Sequence, residues 1–454
     1  MPSAMRPLLE DGAQRAIQYL EGLDARGVAP SSAAISRLPL LDGELPGGPC
    51  DAGEVLALLD DVASPASMAM AGRRFFGFVI GGSLPVTVAA NWLATAWDQN
   101  AAIHRVTPAV SQLEQTALRW LLDLLALPPE CGAAFVTGAT VANFTALAAA
   151  RHTVLTHVGW DVEGDGLFGA PPITVVVSDE AHPSLTKSLG LLGLGRSRVV
   201  KVPVDGEGRM RADLLPAMAG PTIVCVQAGN VNTGSFDPIA EIVAAAHDAG
   251  AWVHVDGAFG LWAAAVPSRA HLAVGVEQAD SWATDAHKWL NVPYDSGLAF
   301  VRDADALEAA MAITAAYLPT TTPFRNPSDF TPELSRRARG VEVWAALRQL
   351  GRAGVADLIE GCCRHATAFA EGLEAAGFEI LNDVVLNQVL VSFGDAATTR
   401  RVIAAVQEDG TCWCGPTEWQ GRVAMRISVS SWATTAEDVQ RSLAAIVRAA
   451  RAGG

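Results

Sequence analysis

"AAFVTGATVANFTALAAARHTVL", residues 133–155, changes its period in the middle. It opens as a short apolar run, passes through the small residues Thr137, Gly138, Ala139 and Thr140, and continues in a helical pattern. A strand that feeds a helix through so small a turn is the building unit of a parallel sheet covered by helices. Similar apolar runs recur downstream: "ITVVVS" (173–178), "TIVCVQA" (222–228), "AWVHVD" (251–256), "DSWAT" (280–284) and "LAFV" (298–301). Between two of them lies "DPIAEIVAAAHDAG" (237–250), a helical segment with Asp237 as its expected cap and Gly250 at its end. This alternation predicts an α/β fold with a mostly parallel sheet and helices on both faces.

Upstream, "TPAVSQLEQTALRWLLDLLALPPE" (107–130) predicts a strong helix, with Thr107 as cap and Pro108 in its first turn. The tail mixes a long helix, strand-like "NQVLVSF" and "VAMRISVS", and a final amphipathic helix. The expected organisation is an N-terminal helical segment (1–70), a large domain (71–345) and a small C-terminal α+β domain (346–454). The segment "YLPTTTPFRNPSDFTPELSRR" (317–337) carries four prolines and few apolar residues, and reads as a long mobile loop of functional character.

The whole composition agrees with a large buried core: 454 residues, half of them apolar and 18% charged. A formal charge of −16 disfavours nucleic acid or an anionic membrane as main partner. The seven cysteines are odd in number and irregularly spaced, which suits a reduced cytoplasmic enzyme and gives no zinc motif or other metal site. The first residues, "MPSAMRPLLEDGAQRAIQYLEGL", lack a long apolar run and a cleavage site, so no signal peptide is expected, and no stretch reaches the length of a membrane span.

In an open α/β sheet, ligands bind at the carboxyl ends of the strands, and four polar segments fall there. The Thr137–Thr140 turn lets backbone N–H groups approach an anion, although taken alone it suits a plain tight turn equally well. Asp256 ends an apolar strand, where a carboxylate must be paired; it caps the next segment or holds a proton on a buried ring nitrogen. His182, in "SDEAHPSLTKS", offers a flat ring just past "ITVVVS". Lys288, in "TDAHKWLN", is one of only three lysines beside 29 arginines. A buried ammonium can shed its proton and attack a carbonyl, whereas a guanidinium stays charged. Together these segments describe a ligand with a phosphate, an aromatic ring, a basic ring nitrogen and a carbonyl that captures an amine. That ligand is pyridoxal phosphate.

The motifs "RRFFGFVIGG", "TPAVSQLE", "TGATVANFTALAAAR", "SDEAHPS", "QAGNVNTGSFDPI", "WVHVDGAFG", "DAHKWLNVPYDSG" and "AMRISVSSWATT" span nearly the whole chain. In them the sequence resembles the pyridoxal-phosphate-dependent group II amino-acid decarboxylases of the aspartate-aminotransferase fold (fold type I), the family of aromatic amino-acid, glutamate, histidine and diaminobutyrate decarboxylases. The resemblance implies that Lys288 forms the Schiff base with the cofactor. It further implies that Asp256 pairs with the ring nitrogen, that Ala258 lies against the ring, and that His182 stacks on its face. Ala139 and Thr140 would bind the phosphate, with His287 a phosphate or supporting ligand. Thr233 and Asn232 would sit near the ring oxygen and the substrate carboxylate, and Phe78, His104 and Arg105 would reach the substrate. Either Arg105 or Arg325 is available to receive a side-chain carboxylate. The resemblance also implies a homodimer with shared active sites and interlocking N-terminal helices. The implied reaction releases carbon dioxide and an amine from an L-amino acid. The alternatives on the same cofactor are an aldehyde synthase, another C–C lyase or an aminotransferase. The feature that raises them is the 318–337 loop, which holds no tyrosine; the chain's tyrosines are Tyr19, Tyr294 and Tyr317.

Overall fold

The computed structural model describes residues 2–313 and 324–452, and Tyr317 with the first part of the proline-rich loop lies outside them. The larger of two compact units comprises Ser83–Arg364 and Asn382–Gln388. Its sheet has seven strands: β1 (Gly132–Val136), β2 (Thr174–Ser178), β3 (Val200–Val202), β4 (Thr222–Gln227), β5 (Trp252–Asp256), β6 (Ser281–Asp285) and β7 (Gly297–Val301), in the order β1-β7-β6-β5-β4-β2-β3. Each apolar run singled out in the sequence is a strand. The pairs β2/β3, β2/β4, β4/β5 and β5/β6 are parallel, and β7 runs antiparallel to both β6 and β1. The reversal has a simple cause. Residues 286–296 join β6 to β7, and that is shorter than the roughly dozen residues a parallel crossover needs. β3 went unread because it is three residues long and exposed at its first two positions.

The helix Ala139–Thr156 lies against this sheet and packs on the helices Pro183–Leu191 and Ala304–Met311. Its buried Ala146, Ala148, Ala149 and Ala150 let it approach closely, while Leu147 joins Val175, Leu185, Leu189 and Ile223 in the core. Each such leucine contributes about 1.5–3 kcal/mol by leaving water. Gly297, at the start of β7, is dictated by packing: a Cβ there would sit 2.4 Å from the Cα of Gly138.

Two expected caps are used otherwise. The Thr107 hydroxyl donates to the Ile103 carbonyl and leaves the helix Pro108–Leu124 without a side-chain cap. Asp237 accepts from the backbone N–H groups of Met210 and Gln227, both at 2.7 Å, so Pro238 stands at the start of Ile239–Asp248. Gly250 follows that helix with φ 71, as a terminating glycine should. The described part of the proline-rich segment is anchored rather than loose. Arg336 is buried, donates to Glu114 at 2.9 Å and also reaches the carbonyls of Ala101 and Phe135. Arg325 faces Glu114, donates to the Ala133 carbonyl and lies 3.9 Å over the Phe330 ring. Burial pushes its guanidinium down to about 10. These contacts tie Arg325 to the scaffold, while its Nη1 keeps no hydrogen-bond partner among the described residues.

The smaller unit groups Met1–Gly82 with His365–Leu381 and Val389–Gly454. It holds the sheet β10-β11-β9-β8, from β8 (Glu379–Ile380), β9 (Gln388–Ser392), β10 (Gly415–Trp419) and β11 (Arg422–Ser428). The limits of the two units fall near 82 and 364, and the N-terminal segment groups with the C-terminal one. The reason is a set of long-range bonds: buried Arg74 to Asp438 at 3.0 Å, Ser428 N–H to the Phe76 carbonyl, and Phe75 stacked on Trp413 at 5.2 Å. Phe78 lies in this unit, exposed, with φ 55 and its ring on Trp413. Among the described residues no helix is long and apolar enough to cross a membrane.

Candidate active site

Because β1, β2, β4, β5 and β6 all point the same way, their carboxyl ends share one edge of the sheet. That edge collects the Ala139–Thr140 turn after β1, His182 after β2, the 230–233 loop after β4, Asp256 at the end of β5, and Lys288 just past β6. The sequence reading placed its candidates at strand ends one by one, and the strand order makes them neighbours.

Lys288 lies in the single helical turn Ala286–Trp289, its side chain 20% exposed. Its Nζ is 3.1 Å from Oδ2 of Asp285, a carboxylate that is only 3% exposed. Asp285 was not among the residues singled out, although its place three positions before Lys288 puts the two on one helical face. The other oxygen of Asp285 accepts the Ala139 N–H at 2.6 Å, the first donor of the helix Ala139–Thr156. His287 accepts from Ser296 N–H through Nδ1 at 3.0 Å, so Nε2 carries the proton and faces Asp285 at 3.6 Å. Burial lowers the pKa of this imidazole, and its ring stacks on Tyr294 with centroids 4.2 Å apart.

Asp256 is buried, with Oδ1 accepting from Ala258 N–H at 3.3 Å and Oδ2 from the Asn143 amide at 3.1 Å. Ala258 in turn gives its carbonyl to Asp285 N–H at 2.9 Å, which ties the ends of β5 and β6 together. Behind Asp256, His254 Nε2 is 2.9 Å from the Asn143 oxygen and its Nδ1 is 2.9 Å from Ser281 Oγ. Burial pushes this imidazole down to about 4 against the pull of Asp256, so it is neutral at ordinary pH. His254 and Asp256 alternate on β5 and therefore share a face, and Asn143 sits one helical turn beyond Ala139. Those spacings were the available signals for both.

His182 caps the helix Pro183–Leu191: its Nδ1 accepts from Ser184 N–H at 3.2 Å, which fixes the plane of the ring. The loop after β4 is held by Asn230, whose Oδ1 accepts from the N–H groups of Asn232 and Thr233. Thr233 is fully buried, its hydroxyl donates to the Glu207 carbonyl and it accepts from Ser235 N–H, so its side chain serves the loop itself. Asn230, which the sequence reading passed over, keeps a buried amide Nδ2 without a protein partner. His104 stacks on Phe324 at 4.2 Å, while Arg105 is exposed.

The donor set fits pyridoxal phosphate: an amine for its carbonyl, a buried anion for its ring nitrogen, a flat ring held in plane, and helix N–H groups with Thr140 for its phosphate. The orphaned Asn230 amide adds one more hydrogen-bond donor beside the same edge.

Comparison with known proteins agrees with this chemistry. Residues 49–394 match the family described as pyridoxal-dependent decarboxylase conserved domain. An L-2,4-diaminobutyrate decarboxylase of Rhizobium meliloti (strain 1021) is 30% identical over 384 residues, covering 80% of this chain and 73% of the relative. An aromatic-L-amino-acid decarboxylase of Bacillus atrophaeus is 26% identical over 392 residues, covering 81% of this chain and 78% of the relative. The crystal structure of Oryza sativa TDC with PLP and tryptamine superposes with a TM-score of 0.90 at 21% identity, over 99% of this chain and 98% of the other, and so shares the fold.

Proposed function

This chain belongs to the pyridoxal-dependent decarboxylase family, and from that premise we propose that it decarboxylates an L-amino acid with Lys288 as the residue that carries the cofactor. The cofactor is pyridoxal phosphate, which when bound supplies an electron sink for the pair left behind by departing carbon dioxide. The enzyme is a carboxy-lyase, a class of carbon–carbon lyase. The observation that carries the reading is the pairing of Lys288 with Asp285 at the strand edge that also ends in Asp256.

The residues divide the work as follows. Lys288 must be neutral to attack a carbonyl, and Oδ2 of Asp285, 3.1 Å away, holds its Nζ in place at the strand edge. Asp256 keeps a ring nitrogen protonated; an adjacent carboxylate favours that state by about 1–3 pKa units. His182, its plane fixed by Ser184, would stack on a face of the ring, and Ala258 would lie against it. Thr140 and the helix turn after Ala139, with His287 beside it, would hold the phosphate, since the Ala139 N–H itself is given to Asp285. Asn232 and the Thr233 backbone, shaped by Asn230, border the substrate carboxylate, and His104 and Arg105 contribute to substrate selection.

A panel of L-amino acids assayed for carbon dioxide tests this reading; no release with any of them would refute it. The same panel should be read for amine, aldehyde, ammonia and hydrogen peroxide. Residues 318–337 contain no tyrosine to protonate the carbanion, and this favours a second reading. In that reading dioxygen and water are consumed, and aldehyde, ammonia and hydrogen peroxide appear in place of the amine.

The reading includes a homodimer with shared sites. The helices Pro2–Gly22 and Ala52–Ala66 leave Leu9, Ile17, Leu20, Val55, Leu58 and Leu59 exposed, more apolar surface than a lone subunit gains from. Light scattering should give about twice the 47.4 kDa chain mass; a single-chain mass at micromolar concentration would count against it. All seven cysteines are free thiols, in keeping with a reducing cytoplasm, which cell fractionation reads directly.

A further inference from the structure

We propose that Asn143 and His254 are positioning residues that hold the Asp256 carboxylate anionic and fix its aim toward the cofactor's ring nitrogen. This rests on the reading above that Asp256 serves that nitrogen. The geometry is a single file of buried hydrogen bonds. Trp252 Nε1 lies 2.9 Å from Ser281 Oγ, Ser281 Oγ 2.9 Å from His254 Nδ1, His254 Nε2 2.9 Å from Asn143 Oδ1, and Asn143 Nδ2 3.1 Å from Asp256 Oδ2. All five side chains are buried.

The direction of the file is fixed at its far end. An indole N–H only donates, so Ser281 Oγ accepts from Trp252 and has its own proton to give. The acceptor within reach is Nδ1 of His254. A neutral imidazole that accepts at Nδ1 donates at Nε2, the Asn143 oxygen receives that proton, and the Asn143 amide group is left facing Asp256. Every donor thus points down the file to one carboxylate oxygen. A proton on Oδ2 of Asp256, given to Asn143, would reverse Asn143 and His254 and strand the Ser281 hydroxyl, because Trp252 cannot reverse. The other neighbour of His254 in the sheet is Cys225 on β4, and the charged group acting on the imidazole is Asp256 itself. With Ala258 N–H on Oδ1 and Asn143 on Oδ2, the carboxylate cannot rotate, and each oxygen keeps a lone pair for a ring N–H.

The unaltered enzyme gives the first test. Nitrogen NMR of the histidines in cofactor-free protein should show His254 as the neutral Nε2–H tautomer, unchanged between about pH 5 and 8. An Nδ1–H tautomer, or a titration in that window, overturns the proposal. The second test measures cofactor dissociation constant and the visible band of bound cofactor. Asn143→Ala and His254→Phe should weaken binding about ten-fold and shift the band, whereas His254→Gln, which keeps an N–H in place, should stay within about three-fold of the parent. Asp256→Asn separates the two layers. If it alters binding and band while Asn143→Ala does not, the positioning role fails; if Asp256→Asn also changes neither, the reading of Asp256 falls with it.

Discussion

Lys288→Ala should abolish turnover, by on the order of 10³-fold or more, and should remove the borohydride-reducible link between protein and cofactor. In the proposed reading this amine bonds covalently to the cofactor carbonyl, and no other lysine lies at the carboxyl edge after β6: Lys201 sits in the edge strand β3 and Lys187 in the helix Pro183–Leu191. Lys288→Arg should fare no better, because a guanidinium does not surrender its proton. The fold should tolerate the loss. The Lys288 side chain is 20% exposed, and Asp285 retains the Ala139 N–H once its ion pair is gone. Retention of full activity, or of the reducible link, in a folded Lys288→Ala protein overturns the assignment of this residue.

Asp256→Asn should lower kcat by roughly 10- to 1,000-fold, the span that corresponds to 1–3 pKa units at the ring nitrogen. The substitution keeps shape and leaves an oxygen to accept from Asn143 or Ala258, so the core around β5 should stay intact. What it removes is the negative charge that, in the proposed reading, makes a ring proton favourable. The loss should therefore fall on kcat rather than on KM, and circular dichroism should be unchanged. Parent-like kcat across the pH range would show that the charge of Asp256 has no part in the reaction.

The sheet was legible because its strands are short runs buried on both faces, and such runs announce themselves by composition alone. The places of Lys288, Asp256 and His182 at the carboxyl edge were legible for a related reason: each is a polar residue at or shortly after the end of an apolar run. What escaped was polar chemistry inside the elements. Asn143 looks like an interruption in an alanine-rich helix until its partner 113 positions away is known. Sequence spacing carries His254 to the correct face of β5 but says nothing of Ser281 on the next strand. Asn230 and Asp285 likewise have meaning only through neighbours brought by the strand order. The failed caps follow the same rule. Thr107 and Asp237 are good capping residues by type, yet the Ile103 carbonyl claimed one hydroxyl and two backbone N–H groups claimed the other carboxylate. Local propensity lost to partners that only the folded chain supplies.

The bond from Arg74 to Asp438 sets an order on biosynthesis. A nascent polypeptide emerges from its N-terminus, so the first eighty or so residues leave the ribosome long before the stretch they must embrace. The seven-stranded sheet can assemble while translation continues; the smaller unit waits, its opening helices unescorted, until Asp438 has been made.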